Sequence, residues 1–158
     1  MNTSPFGIAS FNILPHFVAL AVAYVLALPI GWNRERQTRS AGLRTFPLVA
    51  VATCGFIQAT EPITADEPEA MARIVEGLIA GMGFIGGGAI LRRGDLVSGT
   101  ATAASLWITG AVGVSVGLEA YDVAVMLSVV TMLTLWLIPP LKRLAVDGQE
   151  QIEQKRDE

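Results

Sequence analysis

From Leu96 to Leu118 the chain runs for 23 residues without a charged side chain, and from Val123 to Leu141 for another 19. Met1 to Asn33 also holds no Asp, Glu, Lys or Arg. The hydrocarbon core of a bilayer is about 30 Å thick and takes roughly 20 mainly apolar residues per helix. These runs predict membrane spans at about 13–31, 98–118 and 123–141. No basic segment precedes the first, which argues against a cleaved signal peptide. Two shorter runs are ambiguous. Thr45 to Thr60 is uncharged for 16 residues and Gly77 to Leu91 for 15. The latter reaches membrane length, at 73–91, only by taking in Arg73 and Glu76. Each fits a full span, a re-entrant segment or a helix buried by the others.

Charge placement favours five spans. With five, Arg34, Arg36, Arg39 and Arg44 share one side with Arg92, Arg93 and the four basic residues of the C-terminal tail. Ten of the eleven Lys and Arg then lie on one face, and Arg73 alone on the other. Basic loops stay cytoplasmic, so the N-terminus is expected outside and the C-terminus in the cytoplasm. Losing one weak span splits the basic loops between both sides; losing both keeps the parity. The expected fold class is all-α, a polytopic membrane protein of five transmembrane helices over residues 1–141. Residues 142–158 form a charged cytoplasmic tail, too short for a packed core. Only 16% of the residues are charged, against about a quarter in soluble domains.

Several function classes drop out. A net charge of −3 gives no electrostatic footprint for nucleic acid. One histidine, His16, and one cysteine, Cys54, are too few for a zinc site. Cys54 sits in an apolar run and reads as packing. No nucleophile–base pair stands out, so no enzyme, metal site or cofactor is expected.

"GMGFIGGG", Gly81 to Gly88, contains G-x-G-x-x-G, the letters of a dinucleotide-binding turn. That fingerprint opens a helix after a strand and needs an acidic residue about 20 positions on. Here the glycines lie inside an apolar run, with no Asp or Glu between Asp95 and Glu119. In lipid, small residues let helix backbones touch. Gly77 and Gly81, and Gly83 and Gly87, are four apart. Ala101, Ser105, Thr109, Gly113 and Gly117 repeat that step in the fourth span. The third and fourth spans are therefore expected to pack through these faces. Alternatively, Gly86 to Gly88 interrupts the third helix and lines a polar cavity.

Polar residues cluster near the basic side. Arg34, Arg36 and Arg39 read as topology anchors, and Arg44 as a side chain reaching back to the interface. A competing reading pairs Glu35 with Arg44 or Arg92. If these groups act together, Glu35, Arg44 and Thr100 are expected near one another at the inner membrane edge, with Glu35 at the start of the helix at Thr100, where free amides attract an anion. Gly94-Asp95 reads as a turn. Thr100, Thr102, Ser105 and Thr109 either bond back to their own helix or face a ligand. Glu76 is an intramembrane acid and so a functional candidate. Arg73, three residues earlier, offers it a plain ion pair instead.

Three stretches, "GWNRERQTRSAGLRTFPLV" (Gly31 to Val49), "GLIAGMGFIGGGAIL" (Gly77 to Leu91) and "RRGDLVSGTATAASLWITGAVG" (Arg92 to Gly113), resemble in order and spacing the MgtC/SapB family of bacterial inner-membrane proteins. That family shows G-x-E-R-E, A-G-L-R-T, G-x-G-F-x-G-x-G and G-x-x-T-A-A-S-L-W. Asn33 stands where the family has its first Glu. Several members continue into a soluble domain, whose function the short tail here would lack. The resemblance implies a non-enzymatic inner-membrane protein, regulatory or adaptive under magnesium limitation, linked in pathogens to virulence. Its expected partners are the lipid bilayer, other membrane proteins and a second copy of itself. The candidate cluster is Asn33, Arg34, Glu35, Arg44, Thr45, Thr100 and Ser105. The alternative is a Mg²⁺ transporter or channel. Mg²⁺ wants oxygen ligands, and only Glu76 comes near the inside of a span.

Overall fold

A computed structural model describes residues 13–37, 41–65, 67–94 and 96–154. Arg39, Asp95, Lys155 and Arg156 lie outside the described residues. The helices are α1 (Ile13–Gln37), α2 (Thr45–Thr64), α3 (Pro68–Gly88), α4 (Thr100–Gly117) and α5 (Tyr121–Gln154). All five are long and apolar enough to cross a membrane, so the chain is a multi-pass membrane protein. The two ambiguous runs both form full-length helices of 20 and 21 residues, about 30 Å at 1.5 Å per residue. α3 starts earlier than its uncharged run, with Pro68 in its first turn, where the missing N–H costs nothing. It continues through Gly86 and Gly87 to Gly88, so the glycines end the helix rather than interrupt it. α5 runs on to Gln154, carrying helix into the charged segment after Leu141.

α4 is the central helix, in contact with each of the other four. Of its membrane window 44% is buried, against 11% for α3. Its small residues account for the position. A side-chain carbon at Gly113 would fall on Thr53 Oγ1 and the Ala50 carbonyl of α2. At Gly117 it would meet Ile57 Cβ at 2.7 Å. The expected glycine-to-glycine packing of the third and fourth spans is therefore corrected: the α4 stripe receives α2. Gly77, Gly81, Gly83 and Gly87 have open space where a Cβ would point. α3 meets α4 instead through Met82, which covers Gly110, and through Gly86 against Ala103. Leu78, Met82 and Gly86 step by four along the side of α3 turned to the bundle, and a larger residue there is what fills the gap.

The core follows from the same need for close approach. Ala19, Ala23 and Ala27 step by four along α1 and pack with Ala50 and Cys54 of α2, Val112 and Val116 of α4, and Ala124 of α5. A second cluster joins Ile30, Phe46, Met82 and Leu106. Hydroxyls inside the bundle are spent on carbonyls: Thr53 donates to Val49 and Ala50, Ser105 to Ala101 and Thr109 to Ser105. Ser128 of α5 donates across to the Leu26 carbonyl of α1 at 2.8 Å, close to the place where Pro29 withholds an N–H from the helix.

A β-hairpin, β1 (Leu91–Arg93) with β2 (Leu96–Ser98), joins α3 to α4. Arg92 pairs with Val97 and Arg93 with Leu96. The sequence reading assigned these residues to spans and a turn. Gly94 (φ +61°) turns the hairpin. Gly99 (φ +87°) then closes on the Ala89 carbonyl so tightly that no side chain fits. Both values lie in the left-handed region that glycine alone enters freely.

Candidate functional site

The polar residues gather where α1 ends and α2 begins. The alanine stripe of α1 continues in steps of four through Gly31 to Glu35. At Gly31 a Cβ would stand 3.2 Å from the Gly42 carbonyl oxygen and 3.3 Å from Leu43 Cα. The chain after α1 therefore doubles back against that face. One turn on, the Glu35 carboxylate accepts a hydrogen bond from the Leu43 backbone N–H at 3.1 Å. Gly42 is buried, and a side chain on it would collide with Glu35. The Phe46 N–H donates to the Gly42 carbonyl at 3.1 Å, so α-helical bonding begins at Gly42 and Leu43 is effectively its first residue. A carboxylate thus sits at the positive end of the α2 dipole on an amide the helix cannot satisfy itself.

Beside Glu35, Arg34 is 3% exposed and Asn33 8%. One Arg34 terminal nitrogen donates to Asn33 Oδ1 at 3.0 Å and to Gln37 Oε1 at 2.6 Å. Two amide oxygens thus accept from the buried guanidinium, and Asn33 stands at the position where the resemblance puts a Glu. Arg36 projects outward and stacks over the Trp32 ring at 4.8 Å, a cation–π contact that suits the membrane edge.

Other candidates stand apart. Arg44 is exposed and lines a shallow groove with Thr45, Leu48, Val49 and Ala52. No ion pair joins it to Glu35 among the described residues. The expected Glu35–Arg44 pair is replaced by the Glu35–Leu43 amide bond, because Gly42 brings the backbone closer to Glu35 than a long side chain need reach. The helix start that Glu35 meets is that of α2, not that at Thr100, which is exposed. Ser105 is buried and bonded back to its own helix. Glu76 and Arg73 both lie exposed on α3 without the expected ion pair between them. The sequence reading missed Gly31 and Gly42, although the four-residue step Ala19, Ala23, Ala27, Gly31, Glu35 was there to be found.

Comparison with known proteins places this geometry in context. A family model described as the MgtC family matches residues 20–144. Protein SrpB of Synechococcus elongatus is 37% identical over 140 residues, covering 80% of this chain and 76% of that protein. Protein MgtC of Salmonella typhimurium is 35% identical over 120 residues, covering 76% of this chain and 51% of its own length. Protein MgtC of Brucella abortus is 40% identical over 105 residues, covering 66% of this chain and 43% of its own length. The chain therefore spans about half the length of the MgtC proteins it matches. No solved structure matches.

Proposed function

Since the chain belongs to the MgtC family, we propose that it is a regulatory protein of the bacterial inner membrane, adaptive under magnesium limitation, that acts through contacts with other membrane proteins rather than by catalysis. Its N-terminus faces outward and its C-terminus the cytoplasm, because ten of eleven basic residues then lie inside. The α1–α2 junction, with Glu35 and Arg34, is the cytoplasmic edge of the protein on this reading.

The observation that carries the proposal is how the polar groups are used. Glu35 ties two helices together through the Leu43 amide. Arg34 is buried at the same end and bonds to the Asn33 and Gln37 side chains of its own helix. The hydroxyls of Thr53, Ser105 and Thr109 bond to their own helices. This chemistry suits a rigid presented surface better than a conduit.

Two measurements test it. In a strain lacking the protein, the native chain should restore growth in magnesium-poor medium, and Glu35→Ala at equal protein level should not. Purified protein in liposomes holding a Mg²⁺-sensitive dye should show no uptake beyond that of empty vesicles. Uptake above that background would replace this reading with a transporter.

A further inference from the structure

At the end of the bundle opposite Glu35, the start of α1, the ends of α2 and α4 and the beginnings of α3 and α5 surround a cavity of about 750 Å³. That volume lies in the range of small-molecule sites, about 300–1,000 Å³. Its floor is apolar and fixed: Ala19, Ile57 and Val116 are each 4% exposed or less. Its polar lining converges from three helices and a loop, with His16 from α1, Gln58 and Glu61 from α2, Glu119 from the α4–α5 link and Tyr121 from α5. Neither carboxylate forms a hydrogen bond or ion pair among the described residues through its side chain. No group of three His, Cys, Asp or Glu among those residues is close enough to hold a metal ion. Two carboxylates and a tyrosine lining one cavity with an apolar floor suit a cation that carries carbon with its charge.

We propose that this cavity binds an organic amine, whose ammonium group lies between the Glu61 and Glu119 carboxylates and whose hydrocarbon rests on Ile57 and Val116. Charge-assisted hydrogen bonds from ammonium to carboxylate supply orientation, and the Tyr121 ring adds a face for the cation. Because the cavity opens at a membrane edge, the amine comes either from a free polyamine or from a lipid headgroup. Glu119 also adopts φ +61°, a conformation that favours glycine. A carboxylate is thus held at the rim in a place where the fold alone would prefer no side chain.

The test uses the full chain. In detergent, spermidine titrated by calorimetry should bind saturably, and Glu61→Gln or Glu119→Gln should each weaken it about tenfold, one charge-assisted contact's worth. Glu119→Gly should lose binding equally while the fold becomes more stable, which separates the site from folding. Glu76→Gln, outside the cavity, should bind as the native chain does. In a second arm, native mass spectrometry from nanodiscs should show retained phosphatidylethanolamine, lost in the same variants, if the source is lipid. Variant-sensitive binding in either arm supports the proposal. No variant-sensitive binding in both arms overturns it, and so does Mg²⁺ alone binding as tightly with the same variant dependence.

Discussion

Glu35 Oε2 lies 3.1 Å from the Leu43 amide nitrogen and holds the start of α2 against the last turns of α1. The contact depends on Gly31 and Gly42, because a side chain at either would press on the opposing segment. One carboxylate therefore sets both the direction in which the chain re-enters the bundle and the charge at the α2 N-terminus.

Glu35→Ala should lower stability by about 0.5–1 kcal/mol, the scale of an exposed charge at a helix end, and Glu35→Gln by less because its amide oxygen still accepts. Thermal unfolding in detergent gives both values. Arg44→Ala should add independently to Glu35→Ala, since the two side chains form no pair. A coupling above about 0.5 kcal/mol in the double mutant would show that they do interact.

Gly113→Leu should abolish folded protein in the membrane, because the added side chain lands on Thr53 and the Ala50 carbonyl. Overpacking costs about 1–3 kcal/mol even where neighbours can shift, and backbone cannot. Gly81→Leu should leave the monomer's fold intact, its Cβ direction being open. Fluorescence-detected size exclusion compares the two, and equal losses would contradict the packing of α4 on α2.

Glu119→Gly should raise stability by about 1 kcal/mol. The Ala120 N–H donates to Ser115 and the Glu119 N–H to Val116, the paired bonds of a Schellman helix end, with Glu119 in the left-handed position. A non-glycine residue there costs roughly 1–2 kcal/mol, part of which glycine gives back to its greater freedom when unfolded. A lowered melting temperature would refute the assignment.

For topology, Ala65→Cys in a chain lacking Cys54 should react with an impermeant thiol reagent added outside intact cells, and Gln37→Cys should not. The reverse pattern would invert the proposed orientation.

Gly99→Ala should disrupt the α3–α4 connection, because a methyl group meets the Ala89 carbonyl at a φ that alanine avoids. Proteolysis between Leu91 and Ser98 should speed up several-fold. An unchanged rate would mean that the hairpin tolerates the strain.

The number of helices was legible because span length and the positive-inside rule act on composition alone: uncharged runs and ten clustered basic residues needed no knowledge of contacts. The family-like motifs were likewise written in order along the chain, and so was the polar junction around Glu35. Partner choice between helices was not. The stripes Gly77–Gly81 and Gly113–Gly117 look alike in sequence, yet one faces open space and the other receives α2. Small residues permit close approach from any side, and only the simultaneous fit of five helices decides which side is used. The same holds for Glu35. Its charge and its place at the end of α1 follow from the sequence, but its partner is a backbone amide, which every residue carries and no motif marks. The tertiary structure chose Leu43 because Gly31 and Gly42 let that one segment of chain come within hydrogen-bonding reach.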